Sequence, residues 1–496
     1  MKKKSKNKFK INIKFLYLLY FIPFILYFTT IVSMGVDIWY MLAEAKYIVN
    51  NGFPYTDILT FHEGFKLVIQ QWLSTLIFYG IHKLIGEKGL ILFSFLIFIL
   101  IEFFLYKLCN LISNNKKTLS ILISGIISIL LVFFNYLDVR PQLFTFLILI
   151  IWIYILEKYN KTNNKKVLFI LPLLSILQIN LHAAYWWFLF VYSLPFLAEY
   201  LYQIVIEKNK KQKSKFTTIL IFITISFFCG FINPYGIDSM IYLFNGTNSY
   251  VNEFIGEMIP PKIFSKMGIA IVLILFINYI IGIKYYAKHK ELKISYLLLL
   301  FGSLIISFHA YKSSVFILIF GTYYWAYYLR NIKFKHIIDT KSIKISIIVI
   351  IIPIAVTLIG YFTNHIVYGY SASIVTGKDI YSYIVDYNDN HETKVYGSYK
   401  IGGYLEYLGI KPYIDTRAEF FLKSHNKKRN VFVEHYDLQH YLLDADVFIN
   451  TYNFTHLIVD DSDVLFHYDD IEGYTLLDEN EYLKLYIRND LLEEEP

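Results

Sequence analysis

Asp37, in GVDIWYML, follows a long apolar run directly and has no basic neighbour. A carboxylate at such a border can exchange a proton with a substrate, or it can simply cap a juxtamembrane helix. Glu44 comes seven residues later, two turns along if the stretch is helical, and also reads as a solvated helix face beside Lys46. Asp57, His62 and Glu63 follow the turn NGFPYT, and they read either as binding groups or as turn and surface polars. Further on, NYLDVRPQ supplies Asp138, Arg140 and Gln142, of which the first two could also pair with each other and hold the loop. QINLHAAYWW supplies Gln178, Asn180 and His182, FINPYG supplies Asn233, and SFHAYKS supplies His309, Tyr311 and Lys312. His182 and His309 could each be satisfied interior histidines. Lys312 is a lone cation in a turn between two apolar runs, a setting that suits a phosphate. Polar groups near membrane depth are costly and usually face a cavity. Five such places at one end of a helical bundle imply one outward-facing site.

The elements that must position these residues are mostly membrane helices. Hydrophobic residues make up 56% of the 496, and charged residues only 17%, too few for an ordinary soluble domain. Runs long and apolar enough to cross lie at about 11–33, 89–109, 118–136, 141–157, 166–181, 184–206, 216–233, 264–283, 293–308, 311–329 and 342–362. A twelfth run, 68–86, contains Gln70, Gln71, His82 and Lys83. If it does not cross, the clusters around Lys116, Lys165, Lys211, Lys288 and Lys335 all fall on the same side as the N-terminal MKKKSKNKFK. If it crosses, they all move to the opposite side. Positive-inside bias therefore favours eleven spans, a cytoplasmic N-terminus, and 68–86 lying in the outer leaflet with Trp72 at the interface. The basic clusters are thus explained by the membrane and give no reason to expect a nucleic acid partner. The first run lacks a small-residue cleavage site and is expected to be a retained helix. Cys109 and Cys229 lie at or inside apolar runs and suggest neither a disulfide framework nor a zinc site.

Residues 363–496 hold 11 Lys and Arg against 24 Asp and Glu, so an acidic soluble tail follows the basic membrane region. Residues 363–378 read as a linker. KVYGSYKIGGYLEYLG (394–409) reads as strand, turn and helix, and KPYIDTRAEFF (411–421) as a strand followed by a helix. THLIVD (456–461) reads as a strand and YTLLDENEYLKLYIR (474–488) as a hairpin turning at Asp478–Asn480. The tail contains no P-loop, no GxGxxG and no nucleophile elbow. The expected fold class is an all-α polytopic membrane protein of about 11 transmembrane helices with a small extracytoplasmic α/β domain. The expected domains are 1–362, which includes the outer loop 34–86 with juxtamembrane helices, and 379–496.

With these residues in place, the pattern resembles the GT-C superfamily of membrane glycosyltransferases, whose relatives include protein O-mannosyltransferases and aminoarabinose transferases. The resemblance rests on the acid after the first helix (Asp37), the long first outer loop, the G-x-P-x-x-D of NGFPYTD, and the Asp and Arg of LDVRPQ. VYGSYKIGGYLEYLGIKPYIDTRAE also resembles tails of bacterial members. Two features depart from the pattern: Asp37 is followed by Ile38 where many relatives have a second acid, and no P-P-L element precedes Gln71-Trp72.

The resemblance implies an inverting glycosyltransferase of a bacterial cytoplasmic membrane. It would take a sugar from an undecaprenyl-phosphate-linked donor and pass it to a cell-envelope glycan or lipid-linked acceptor on the outer face. Asp37 is then the expected general base, with Glu44 and Asp57 as the alternatives. Arg140, Lys312 and His309 are expected on the donor phosphate, and Asp138, Gln142, His62, Glu63, Asn180 and His182 on the substrates. No cofactor is required by the spacing. A divalent metal held by Asp37 and Asp138 is compatible, as some relatives use one. Two other classes fit the span count: a lipid or polysaccharide transporter, and a non-catalytic envelope assembly protein.

Overall fold

In a computed structural model the described residues are 9–12, 22–24, 26–27, 34–245, 249–332, 334–337 and 372–494. The expected spans 11–33 and 342–362, and most of the linker, lie largely outside them. The chain divides into two compact units, one of residues 1–32, 91–233 and 256–367, the other of residues 33–90, 234–255 and 368–496.

The first unit is helical. Among the described residues, four helical stretches are long and apolar enough to cross a membrane: Glu87–Ile112, Gln142–Thr162, Ala183–Val205 and Lys266–His289. Lys117–Phe133 and Ile294–His309 are shorter apolar helices. The expected run 311–329 is not one helix but three short pieces, Tyr311–Ser314, Val315–Phe320 and Trp325–Tyr328. The ladder breaks at Gly321, whose carbonyl accepts a hydrogen bond from Asn278 Nδ2 at 2.9 Å, a cross-helix bond that takes the place of an intrahelical one. Two acids lie buried within these helices. Glu102 accepts from Ser124 at 2.8 Å and from Ser128, one turn further along the same helix, and Glu157 accepts from Tyr323 at 3.2 Å. Strand β1 (Phe9–Asn12) pairs in parallel with β2 (Phe334–Ile337).

The second unit joins residues 33–90 to the tail, although the sequence grouped residues 34–86 with the membrane region. Helix Asp37–Asn51 ends at Gly52 in a left-handed conformation (φ 85°). The run 68–86 forms helix Trp72–Ile85, whose 14 residues span about 21 Å, less than the hydrocarbon thickness. The tail carries a four-stranded sheet in the order β3 (Val395–Gly397), β4 (His456–Asp460), β6 (Leu483–Arg488), β5 (Tyr474–Glu479). β3 and β4 are parallel, and β6 is antiparallel to both β4 and β5, with a bulge between Leu476 and Asp478. The expected strand in 411–421 is reduced to one bridge, Val395 to Pro412, and no helix follows it directly. The reason is local: Asp415 Oδ1 accepts the backbone N–H of Arg417 at 2.6 Å, a turn that bends the chain out of extended geometry. One apolar core of this unit draws on both segments, with Phe65, Leu67 and Ile69 packed with Tyr413, Phe421, Phe448 and Leu457.

Two glycines of IGGYLEYLG set the packing in this unit. A Cβ on Gly402 would lie 1.9 Å from the Ile414 carbonyl oxygen, and one on Gly403 would lie 3.2 Å from the Tyr40 nitrogen. Helix Gly402–Leu408 therefore seats closely on helix Asp37–Asn51 and on the strand-like segment that leads to Arg417.

Candidate functional site

In the second unit, the close seating of Gly402 and Gly403 brings one guanidinium among four carboxyls. Arg417 Nε contacts Asp415 Oδ1 and Oδ2 at 3.0 and 2.9 Å, and Nη2 contacts Asp415 Oδ2 at 2.5 Å. Nη2 also donates to Glu406 at 3.0 Å, and Nη1 lies 3.4 Å from Glu44 and 3.6 Å from Asp57. The guanidinium packs against the Phe420 and Tyr40 rings, 4.6 and 5.6 Å from their centroids. All five charged side chains are buried.

One cation among four carboxyls leaves excess negative charge in a dry place, and protons relieve it. Burial, then the neighbouring Asp415 carboxylate, holds Glu406 well above the usual carboxylate range. Burial pushes Glu44 up to about 8 against the pull of Arg417. Glu44 Oε2 has no hydrogen-bond partner among the described residues, as suits a protonated carboxyl more than an anion. Glu44 and Asp57 thus turn onto Arg417. Asp57 also accepts from the backbone N–H groups of Leu59 and Thr60 at 3.4 and 3.1 Å, and from the Thr60 hydroxyl, which fixes the loop after NGFPYT. Asp37 is half-buried at the first position of its helix, where the dipole favours a negative charge.

His62 is buried, not a surface polar. Its Nε2 donates to the Tyr413 carbonyl at 2.7 Å, and its ring stacks on Phe65 at 4.8 Å. Burial pushes it down to about 4, so it is neutral at pH 7. Glu63, next to it, is exposed.

In the first unit, several of the expected clusters converge. Tyr136 donates to the Tyr311 carbonyl at 2.9 Å, which joins the loop before Asp138 to the turn carrying Lys312. The Tyr311 N–H donates to the Ile259 carbonyl at 3.0 Å, adding the segment 256–259. Arg140 Nη1 bonds both oxygens of Glu257 at 2.8 and 3.0 Å, so Arg140 pairs with Glu257 instead of closing on Asp138 alone. Burial, eased by Arg140, pushes Asp138 up to about 6. Gln178 donates to Thr145 Oγ1 at 2.9 Å and to the His182 carbonyl at 2.7 Å. Thr145 Oγ1 also shares a hydrogen bond of 2.9 Å with His182 Nδ1. Asn180 donates to the carbonyls of Ile176 and Ile232 at 2.7 and 2.9 Å and so serves the helix junction. Gln142 starts its helix half-buried, Lys312 is half-buried on its turn, and His309 is exposed at the end of helix Ile294–His309.

The sequence reading missed Arg417, Asp415, Glu406 and Glu257. The signal for the first two was IDTR, two opposite charges in an otherwise apolar stretch. The signal for Glu257 was a lone acid in the apolar turn IGEMIPP. Among the described residues no group of three or more His, Cys, Asp or Glu side chains is arranged to hold a metal ion.

The sequence matches no protein-family model and no curated protein sequence. Its fold does match solved structures. A crystal structure of the Archaeoglobus fulgidus oligosaccharyltransferase, tethered to an acceptor peptide containing an NVT sequon, superposes with a TM-score of 0.57 at 9% identity, over 90% of this chain and 69% of that one. The archaeal oligosaccharyltransferase AglB from the same organism, in complex with an inhibitory peptide and a dolichol-phosphate, aligns over the same shares at 9% identity with a TM-score of 0.46. The chain thus shares the fold of that oligosaccharyltransferase.

Proposed function

We propose that this protein is a membrane glycosyltransferase that moves a sugar from a polyprenyl-phosphate-linked donor to a cell-envelope glycan or lipid-linked acceptor on the outer face. The observation that carries the reading is the shared fold, which extends over 90% of the chain. The convergence of Asp138, Arg140, Glu257 and the turn carrying Lys312 in the helical unit supports it, because a bundle needs no such charge for its own stability.

In this reading Asp37 takes the proton from an acceptor hydroxyl. The hydroxyl oxygen attacks the anomeric carbon, the bond from that carbon to the phosphate oxygen breaks, and the lipid phosphate leaves with inversion. Arg140, Lys312 and His309 offset the phosphate charge. Asp138, Gln142, His182 and Asn180 shape the surroundings, and His62 and Glu63 contribute to acceptor binding. Glu44 and Asp57 hold the Arg417 cluster. The basic clusters support eleven spans, with the N-terminus inside and the tail outside.

The test is mass analysis of envelope glycans and undecaprenyl-linked species from cells with and without the protein, repeated with Asp37→Asn. Loss of one sugar and build-up of its lipid-phosphate donor, both reproduced by the variant, is the expected result. Unchanged glycans and donors would remove the proposal.

A further inference from the structure

The second unit contains a cavity of about 460 Å³, whose lining includes His62 and Glu63, assigned above to the acceptor, and three cations that none of the roles above uses. That size suits one or two sugar rings. Its walls carry three cations, Lys394, Lys428 and Arg429, against one acid, Glu63. Aromatic faces complete it: Phe61 and Tyr452 flank the Lys394 ammonium, which sits 5.1 and 5.8 Å from their ring centroids.

Each cation has capacity to spare. Among the described residues, neither the Lys394 nor the Lys428 ammonium forms an ion pair. Arg429 gives one nitrogen, Nη2, to Glu434 at 2.7 Å. The same Glu434 accepts the hydroxyls of Tyr413, at 3.1 Å, and Tyr452, so it fixes the Tyr452 ring while holding the guanidinium beside it. The Arg429 guanidinium lies 5.2 Å from the Tyr452 centroid. Burial and the Arg429 charge push the Lys394 ammonium below its ordinary range, the response of a cation that lacks an anion.

We infer that this cavity binds an anionic saccharide, a sugar bearing a carboxylate or a phosphate, through Lys394, Lys428 and Arg429, with its ring against Phe61 and Tyr452. Aromatic faces meet the C–H face of a sugar, and cations beside them select those sugars that carry charge. The inference concerns the second unit alone and needs no transfer activity, so it stands or falls apart from the function proposed above.

The test uses the full-length protein in detergent, without donor, titrated calorimetrically with trigalacturonic acid, with glucose 6-phosphate and with neutral maltotriose. Binding of either charged probe at least ten-fold more tightly than maltotriose, weakening with salt, is expected, and the one that binds identifies the anion. Lys394→Gln and Arg429→Gln should each weaken that binding about ten-fold. Glu63→Gln, which removes the opposing charge, should strengthen it several-fold, a gain that no folding defect imitates. Equal affinity for the neutral probe overturns the inference, as does indifference to all three substitutions. Capture by phosphatidylglycerol vesicles in the absence of any saccharide binding overturns it as well.

Discussion

Replacing Glu44 with Gln should change how the stability of the protein depends on pH. Glu44 is 2% exposed, and burial raises it from the ordinary 4.5 to about 8. Its neighbours are the Arg417 cation and the carboxyls of Asp415 and Asp57. Because the folded-state value lies above the unfolded one, the folded protein binds the extra proton between the two. The Glu44 contribution is therefore fully present below about 4.5 and is lost as pH rises through about 8. At about 1.4 kcal/mol per pH unit, wild type gives up roughly 3–4 kcal/mol between pH 5 and 8 from this site. For a unit of this size that is on the order of 10 °C in Tm. Gln keeps the shape of the protonated acid and cannot ionise, so this loss is absent. Thermal unfolding of the full-length protein in detergent, followed by tryptophan fluorescence from pH 5 to 8.5, gives the comparison. The two proteins should nearly coincide at pH 5, with the variant the more stable by a margin that widens with pH. Parallel curves would show that Glu44 does not titrate in the fold, and the account of the Arg417 cluster as proton-relieved would fail.

Arg417→Met leaves four buried carboxyls without their cation and should cost about 3–5 kcal/mol, read as a lowered Tm that acidic pH partly restores. Gly402→Ala drives a methyl into the Ile414 carbonyl and should cost at least the 1–3 kcal/mol typical of overpacking, measured the same way. Asp37→Asn should lower turnover about 100- to 10,000-fold at saturating lipid-linked donor while donor affinity stays near wild type; near-normal turnover would make Asp37 a helix cap. Arg140→Gln should weaken donor affinity, turnover or both, since its proposed partner is charged throughout, and retention of both would place Arg140 with Glu257 in a structural pair.

What the sequence revealed and what it hid follow physical lines. THLIVD and the hairpin 474–488 were legible because a strand's apolar run and a turn's polar residues are local properties. IDTRAEFF was misread because propensity favours a strand and a helix there, while the side chain of Asp415 competes for the Arg417 N–H and wins. The Asp and Arg of LDVRPQ were found as polar groups at the end of an apolar run, but their partner Glu257 lies 117 positions away and leaves no periodic trace. His62 read as either a binding group or a surface polar, because nothing near it in the chain reveals the Tyr413 carbonyl that satisfies it. The run 311–329 looked like one helix because its break comes from Asn278 on another helix. Acids at Glu102 and Glu157 escaped notice inside apolar runs, since their partners Ser124, Ser128 and Tyr323 are ordinary residues in a membrane helix.

The Arg417 cluster also fixes an order of events during synthesis. Glu44 and Arg417 stand 373 positions apart, and the helical unit is encoded between them. At about 5–20 residues per second, a ribosome takes roughly 20–75 s to travel from one to the other. Throughout that interval the segment 33–90 has neither the cation its carboxyls surround nor the tail aromatics its Phe65 and Leu67 pack against. The second unit is thus completed last, when its final segment joins residues 33–90 and 234–255, after the helices encoded between these segments have been made. Nascent chains halted before residue 417 should leave residues 33–90 open to protease, and those that pass the final strand should close it.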